Sequence, residues 1–125
     1  MSQFDVVVIG AGPGGYVAAI RSSQLGLKTA LIDKSPTLGG TCLNVGCIPS
    51  KALLESAKLV KSLKGMGRFG IKVGKPEIDF AKVVARSRGV ADRSEKGVRH
   101  LFKKYGVELI EGTARVQAPG RVSVG

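Results

Sequence analysis

Val6-Val7-Val8-Ile9-Gly10-Ala11-Gly12-Pro13-Gly14-Gly15-Tyr16-Val17-Ala18-Ala19-Ile20 is the stretch that decides the architecture of this 125-residue chain. It begins within Phe4 to Ile9, a short and nearly continuous β-branched run of the kind that suits a strand buried on both faces, as in a parallel sheet. The glycines break the run. Tyr16 to Ile20 then supplies helix formers, Gly26 stands where a left-handed residue ends a helix, and Leu27 to Asp33 is a second short apolar run closing on an acid. Strand, tight loop, helix and strand in this order make a βαβ unit, with a right-handed crossover and parallel neighbouring strands.

The triplet Gly10-x-Gly12-x-x-Gly15 sits between the predicted strand and helix, and Asp33 follows Gly15 by eighteen residues. In that context the triplet points to a bound dinucleotide. Gly10 permits the tight turn, Gly12 lets the backbone approach a pyrophosphate without a Cβ in the way, and Gly15 lets helix and strand pack closely. The helix start adds unpaired N–H groups and a partial positive charge. Asp33 suits a ribose diol and repels a 2′-phosphate, which favours NAD or FAD over NADP; the adjacent Lys34 weakens that repulsion.

Outward from the loop, Lys34 to Gly40 reads as irregular. A helical region from Thr41 is expected to be interrupted at Pro49 and to resume through Ser50, with Leu59, Val60 and Leu63 on an apolar stripe and Gly65, Gly67 and Gly70 after it. Asp79 is placed to cap a long helix carrying Phe80, Val83, Val84, Val98, Leu101, Phe102 and Tyr105 around a polar middle, closed by Gly106. Val107 to Ile110 is a third strand, and Ala114 to Val116 with Arg121 to Val124 form a hairpin turning at Pro119-Gly120. The fold class is α/β: a Rossmann-like nucleotide-binding domain with a parallel sheet and helices on both faces. It is incomplete over residues 1–125, because such a sheet normally adds strands beyond its first one to finish the ligand crevice.

Apolar residues make up 43% of the chain and charged ones 23%, enough to bury a core, and no apolar run approaches the ~18 residues of a membrane span. The first residues show no export or organelle signal, so a cytoplasmic protein is expected. Twenty Lys and Arg against nine Asp and Glu leave a net charge of +11. The basic residues are spread from Arg21 to Arg121, Trp is absent and aromatics are few, so no specific nucleic-acid partner is expected. An anionic cofactor or an acidic surface elsewhere accounts for the charge.

Only two cysteines exist, Cys42 and Cys47. On an ideal straight helix residues five apart have Cα atoms ~8.6 Å apart, beyond the ~4.4–6.8 Å of a disulfide, so a bond requires a distorted helix. Gly46 and Pro49 bracket Cys47 and supply the means. A staple over so short a loop removes little unfolded-chain entropy, and cytosolic disulfides tend to be catalytic or sensing. A redox-active pair is the favoured reading, with free structural thiols or metal ligands as its alternatives. A metal would need more ligands than the two cysteines and His100, which reads as structural or solvated, so no metal site is assigned. Lys51 shares a helix face with Cys47, and its charge suits a thiolate or a reduced flavin.

The segment Gly39-Gly40-Thr41-Cys42-Leu43-Asn44-Val45-Gly46-Cys47-Ile48-Pro49-Ser50-Lys51-Ala52-Leu53-Leu54 resembles the active-site helix of the FAD-dependent pyridine nucleotide-disulfide oxidoreductases, and Val6 to Ile20 resembles their opening. Within the family the resemblance is greatest to the dihydrolipoamide dehydrogenase branch. Leu43 and Ser50 depart from the Val and Lys usual in glutathione reductases, and Leu43 from the Val usual in mercuric reductases. The resemblance implies that Gly10, Gly12, Pro13, Gly14 and Gly15 hold the FAD pyrophosphate, and that Asp33, beside Lys34, takes the adenosine ribose where the family usually has Glu. It implies that Cys42 is the interchange thiol facing a dithiol substrate and Cys47 the charge-transfer thiol against the flavin. Gly40, Thr41 and Lys51 would lie along the cofactor, and Gly112-Thr113-Ala114 near the adenine.

The implied reaction is oxidation of dihydrolipoamide on a lipoyl-carrying protein, with FAD as cofactor and NAD as co-substrate, in a homodimer within 2-oxo acid dehydrogenase complexes. Residues 1–125 correspond to the N-terminal part of the family's FAD-binding domain, without its NAD-binding and interface domains, so the chain alone is expected to be inactive. The alternatives are a glutathione- or mercuric-reductase-like flavoenzyme and a non-catalytic redox-sensing nucleotide-binding module.

Overall fold

The βαβ unit is present as read from the sequence. A computed structural model describes residues 2–125, in which β1 (Val6–Ile9), α1 (Pro13–Gln24) and β2 (Thr29–Asp33) follow in order. The strands are parallel, with Val6 opposite Thr29 and Ile9 opposite Ile32. Helix α1 starts with Pro13 in its first turn, where a missing N–H costs nothing, and ends in a Schellman turn. Gly26 adopts a φ of +85°, and the N–H groups of Gly26 and Leu27 reach back to the carbonyls of Ser23 and Ser22.

Two helices follow in close succession, α2 (Gly40–Asn44) and α3 (Cys47–Lys64), and then a 3-10 turn at Met66–Phe69. The long helix α4 spans Phe80–Tyr105. Asp79 caps it by accepting a hydrogen bond from the Lys82 N–H at 3.1 Å, and Gly106 ends it at a φ of +70°. Strand β3 (Glu108–Glu111) pairs parallel to β2, and β4 (Ala114–Ala118) with β5 (Arg121–Val124) makes the expected antiparallel hairpin.

The sheet order β1-β2-β3 puts β2 in the centre. That corrects one expectation: Phe4 to Ile9 is not a strand buried on both faces. β2 is buried from Thr29 to Ile32, whereas β1 alternates: Val8 packs beneath the helices, while Val7, 38% exposed, and Ile9, 53% exposed, lie on the other face, where an edge strand has a neighbour on one side only to cover them. Helices α1 and α4 pack on the face that carries Val8, Leu31 and Leu109, and the core there adds Ala19, Val98 and Phe102. The opposite face, with Val7, Ala30, Ile32 and Ile110, is bounded by the hairpin across a cavity of about 1090 Å³. Among the described residues the helix layer is thus built on one face, in keeping with a fold that is incomplete over this span.

Candidate active site

Steric demands bring the glycine loop together. A Cβ built on Gly15 would overlap the carbonyl oxygen of Gly10, so helix and strand meet at a distance only glycine allows. The front of the loop is open, since a Cβ at Gly12 or Gly14 would meet nothing within 4 Å. Tyr16 donates the first helical bond of α1, to the Gly12 carbonyl at 3.0 Å. The N–H groups of Gly14 and Gly15 precede that bond, Pro13 has none, and no side chain caps the helix. This is a cradle of free backbone donors at a helix start, suited to phosphate oxygens.

Asp33, at the end of β2, is bound into the same loop. One carboxylate oxygen accepts the Ala11 N–H at 2.6 Å and the other accepts the Ser35 N–H at 2.8 Å. Each oxygen keeps a second lone pair for a diol. Asp33 is half-buried, while Lys34 next to it is exposed. Gly112 donates its N–H to the Asp33 carbonyl at 2.9 Å, which brings Gly112-Thr113-Ala114 to the same end of the sheet.

The cysteine segment is joined to this cradle through the Gly39-Gly40 turn. Gly39 donates to the Ala11 carbonyl at 2.8 Å, and a Cβ on Gly40 would stand 2.8 Å from the Gly12 Cα. Both glycines have positive φ, +103° and +59°. Asn44 ties the turn to α2 by donating to the carbonyls of Leu38 at 2.9 Å and Gly40 at 3.0 Å.

Cys42 and Cys47 form a disulfide, with Cα atoms 4.7 Å apart. The helix is distorted as the spacing requires, but not where Pro49 was expected to interrupt it. The break is at Val45-Gly46, between α2 and α3. Gly46 lies so close to the preceding turn that a Cβ there would stand 3.0 Å from the Thr41 carbonyl oxygen and 3.2 Å from the Cys42 Cα. Pro49 is the third residue of α3, where no backbone N–H is called on by the helix, and it continues the helix instead of breaking it. Cys42 is half-buried; Cys47 is exposed at the first position of the 18-residue α3, where free N–H groups and the helix dipole favour an anionic sulfur.

Thr41 and Lys51 are exposed, Lys51 one turn beyond Cys47, and His100 is exposed on α4 away from the apolar face. The structure also brings to the site residues that the sequence reading passed over: Asn44, and Arg86, Ser87 and Arg88 of α4, which donate to carbonyls around the disulfide. Ser87 was detectable in principle. It lies four residues from both Val83 and Ala91, on the face that α4 buries, inside what reads as a polar middle.

The family model described as pyridine nucleotide-disulphide oxidoreductase matches residues 4–124. Dihydrolipoyl dehydrogenase 3 of Pseudomonas aeruginosa is 51% identical over 126 aligned residues, covering 99% of this chain and 27% of that protein. Leghemoglobin reductase of Vigna unguiculata is 52% identical over 96% of the chain and 23% of its own length. Dihydrolipoyl dehydrogenase of Chlorobaculum tepidum is 52% identical over 90% and 24%. The chain spans about a quarter of the length of these relatives.

Proposed function

The chain belongs to the pyridine nucleotide-disulphide oxidoreductase family, and on that premise we propose that it is the FAD-binding, disulfide-bearing part of an enzyme that oxidises dihydrolipoamide to lipoamide. The observation that carries the reading is the Cys42–Cys47 bond at the start of α3, fastened through Gly39 and Gly40 to a glycine cradle fit for a pyrophosphate. Seven of the most similar relatives bearing the name dihydrolipoyl dehydrogenase add the substrate class.

Gly10, Gly12, Gly14 and Gly15 would hold the FAD pyrophosphate and Asp33 the adenosine ribose, with Gly112 to Ala114 near the adenine. A substrate thiolate attacks the Cys42 sulfur, the Cys42–Cys47 bond breaks, and Cys47 leaves as a thiolate at the helix start. The second substrate thiol then attacks the mixed disulfide and releases lipoamide, leaving Cys42 reduced. Two electrons and two protons have moved from substrate to the cysteine pair. Bound flavin supplies the two-electron acceptor that restores the pair, with NAD⁺ as the final oxidant. Lys51 holds positive charge near Cys47 throughout. The whole protein works as a homodimer on lipoyl-carrying proteins of 2-oxo acid dehydrogenase complexes, in the cytoplasm, with no specific nucleic-acid partner and no membrane partner.

Trapping tests this assignment. Incubated with lipoamide and saturating FAD, Cys47→Ser should accumulate a mixed disulfide on Cys42, seen as one added lipoamide mass, and Cys42→Ser, with Cys47 covered by the cofactor, should accumulate less on Cys47. FAD added to the wild-type chain should lose fluorescence on binding. Equal labelling of both cysteines, or no flavin quenching at any concentration, overturns the assignment.

A further inference from the structure

Three consecutive residues of α4 reach across to the two sides of the helix break. Arg88 donates from Nη1 to the Asn44 carbonyl at 3.0 Å, Ser87 from Oγ to the Pro49 carbonyl at 3.0 Å, and Arg86 from Nη1 to the Ala52 carbonyl at 3.1 Å. Asn44 ends α2, so its carbonyl is among those left without an intrahelical donor, and a guanidinium there also meets the negative end of the helix. Pro49 lies in the first turn of α3, and Ser87 is only 2% exposed, so its hydroxyl bond is made away from water. The Cys42 side of the break is therefore held by Arg88, and the Cys47 side by Ser87 and Arg86, all from one rigid helix.

The disulfide and this three-point contact do the same work. Each fixes α2 relative to α3 across Val45-Gly46. When the sulfur bond is absent, the contact still ties both sides of the break to α4. Order supplied by one need not be supplied by the other, so the two are thermodynamically coupled.

We propose that Arg88 and Ser87 are positioning residues of the cysteine pair: by fastening both sides of the Val45-Gly46 break to α4, they raise the effective concentration of one thiol at the other and shift the pair toward its closed form. The inference rests on the reversible cysteine chemistry of the proposed function, and not on its substrate or cofactor. The exchange that reads it is balanced. The Cys42–Cys47 bond breaks, two cysteine thiols form, and a small dithiol such as dithiothreitol closes its own ring in return.

The test equilibrates the 125-residue chain with graded ratios of reduced and oxidised dithiothreitol, quenches with acid, and counts alkylated thiols by mass. Arg88→Gln and Ser87→Ala should each lower the constant for closing the pair by ~3–10-fold, the scale of a loosened tether. Arg88→Lys keeps the charge and a donor and should restore most of it. In the reduced chain, amide exchange at Val45 to Cys47 should quicken in the first two variants. Arg88 is exposed and Ser87→Ala removes one hydroxyl, so helical circular dichroism should persist. Should Ser87→Ala fail to fold, the Arg88 pair still decides. Constants within twofold of wild type, or a constant that rises, overturn the inference and leave the proposed function standing. A wild-type pair that cannot be opened and reclosed at all overturns the proposed function itself.

Discussion

Gly15 is the position with the least room, because any side chain there meets the Gly10 carbonyl. Gly15→Ala should cost about 1–3 kcal/mol, the usual penalty of overpacking, and should weaken flavin binding because helix α1 is pushed away from the loop. A thermal melt beside a flavin titration checks both. Asp33 carries a different load. Its two oxygens receive N–H groups from Ala11 and Ser35, and asparagine has one carbonyl oxygen to offer them. Asp33→Asn should therefore lose about 1–2 kcal/mol in a urea titration even with no nucleotide present. The glycine triplet, the acid and the two cysteines were legible in the sequence because each residue type has a chemistry of its own. The Asp33 to Ala11 bond was not, since it joins residues 22 apart whose meeting depends on the crossover closing.

Helix boundaries show where local rules compete. Proline is the stronger helix breaker in general, yet Pro49 sits early in α3, where it is harmless, and Gly46 makes the break. Gly46→Ala should hinder closure of the Cys42–Cys47 bond, since its Cβ would crowd Thr41 and Cys42, and free-thiol titration after air oxidation should find a larger open fraction. Pro49→Ala should leave closure unchanged and cost about 1–3 kcal/mol in a urea titration, because Pro49 is buried and its ring carbons are lost from the packing. The ends of α1 and α4 were readable from Gly26, Asp79 and Gly106, each of which does what its type does best. The middle of α4 was not, because the residues buried there, Ser87 and Ala91, are small. Their burial follows from α3 lying against them, and the spacing of four from Val83 through Ser87 to Ala91 is the one hint of it. The relative burial of β1 and β2 was hidden for the same reason: both are apolar runs, and only sheet order makes β2 central.

Taken entire, the 125 residues match about a quarter of each relative. The proposed reaction needs both a flavin and NAD⁺, and among the described residues the Gly10 to Gly15 cradle would serve one nucleotide. The chain by itself should therefore accept electrons from dihydrolipoamide in a single stoichiometric exchange, with no steady NADH formation above the uncatalysed rate; NADH absorbance under excess substrate and FAD checks this.

The outer side of β1 has a practical consequence. A strand with one neighbour offers a row of unanswered peptide groups, and here the apolar side chains of Val7 and Ile9 stand beside it in water. Concentrated samples should slowly laminate, strand against strand, into fibrils that bind thioflavin. Val7→Lys should delay their onset by planting a charge on the growing seam.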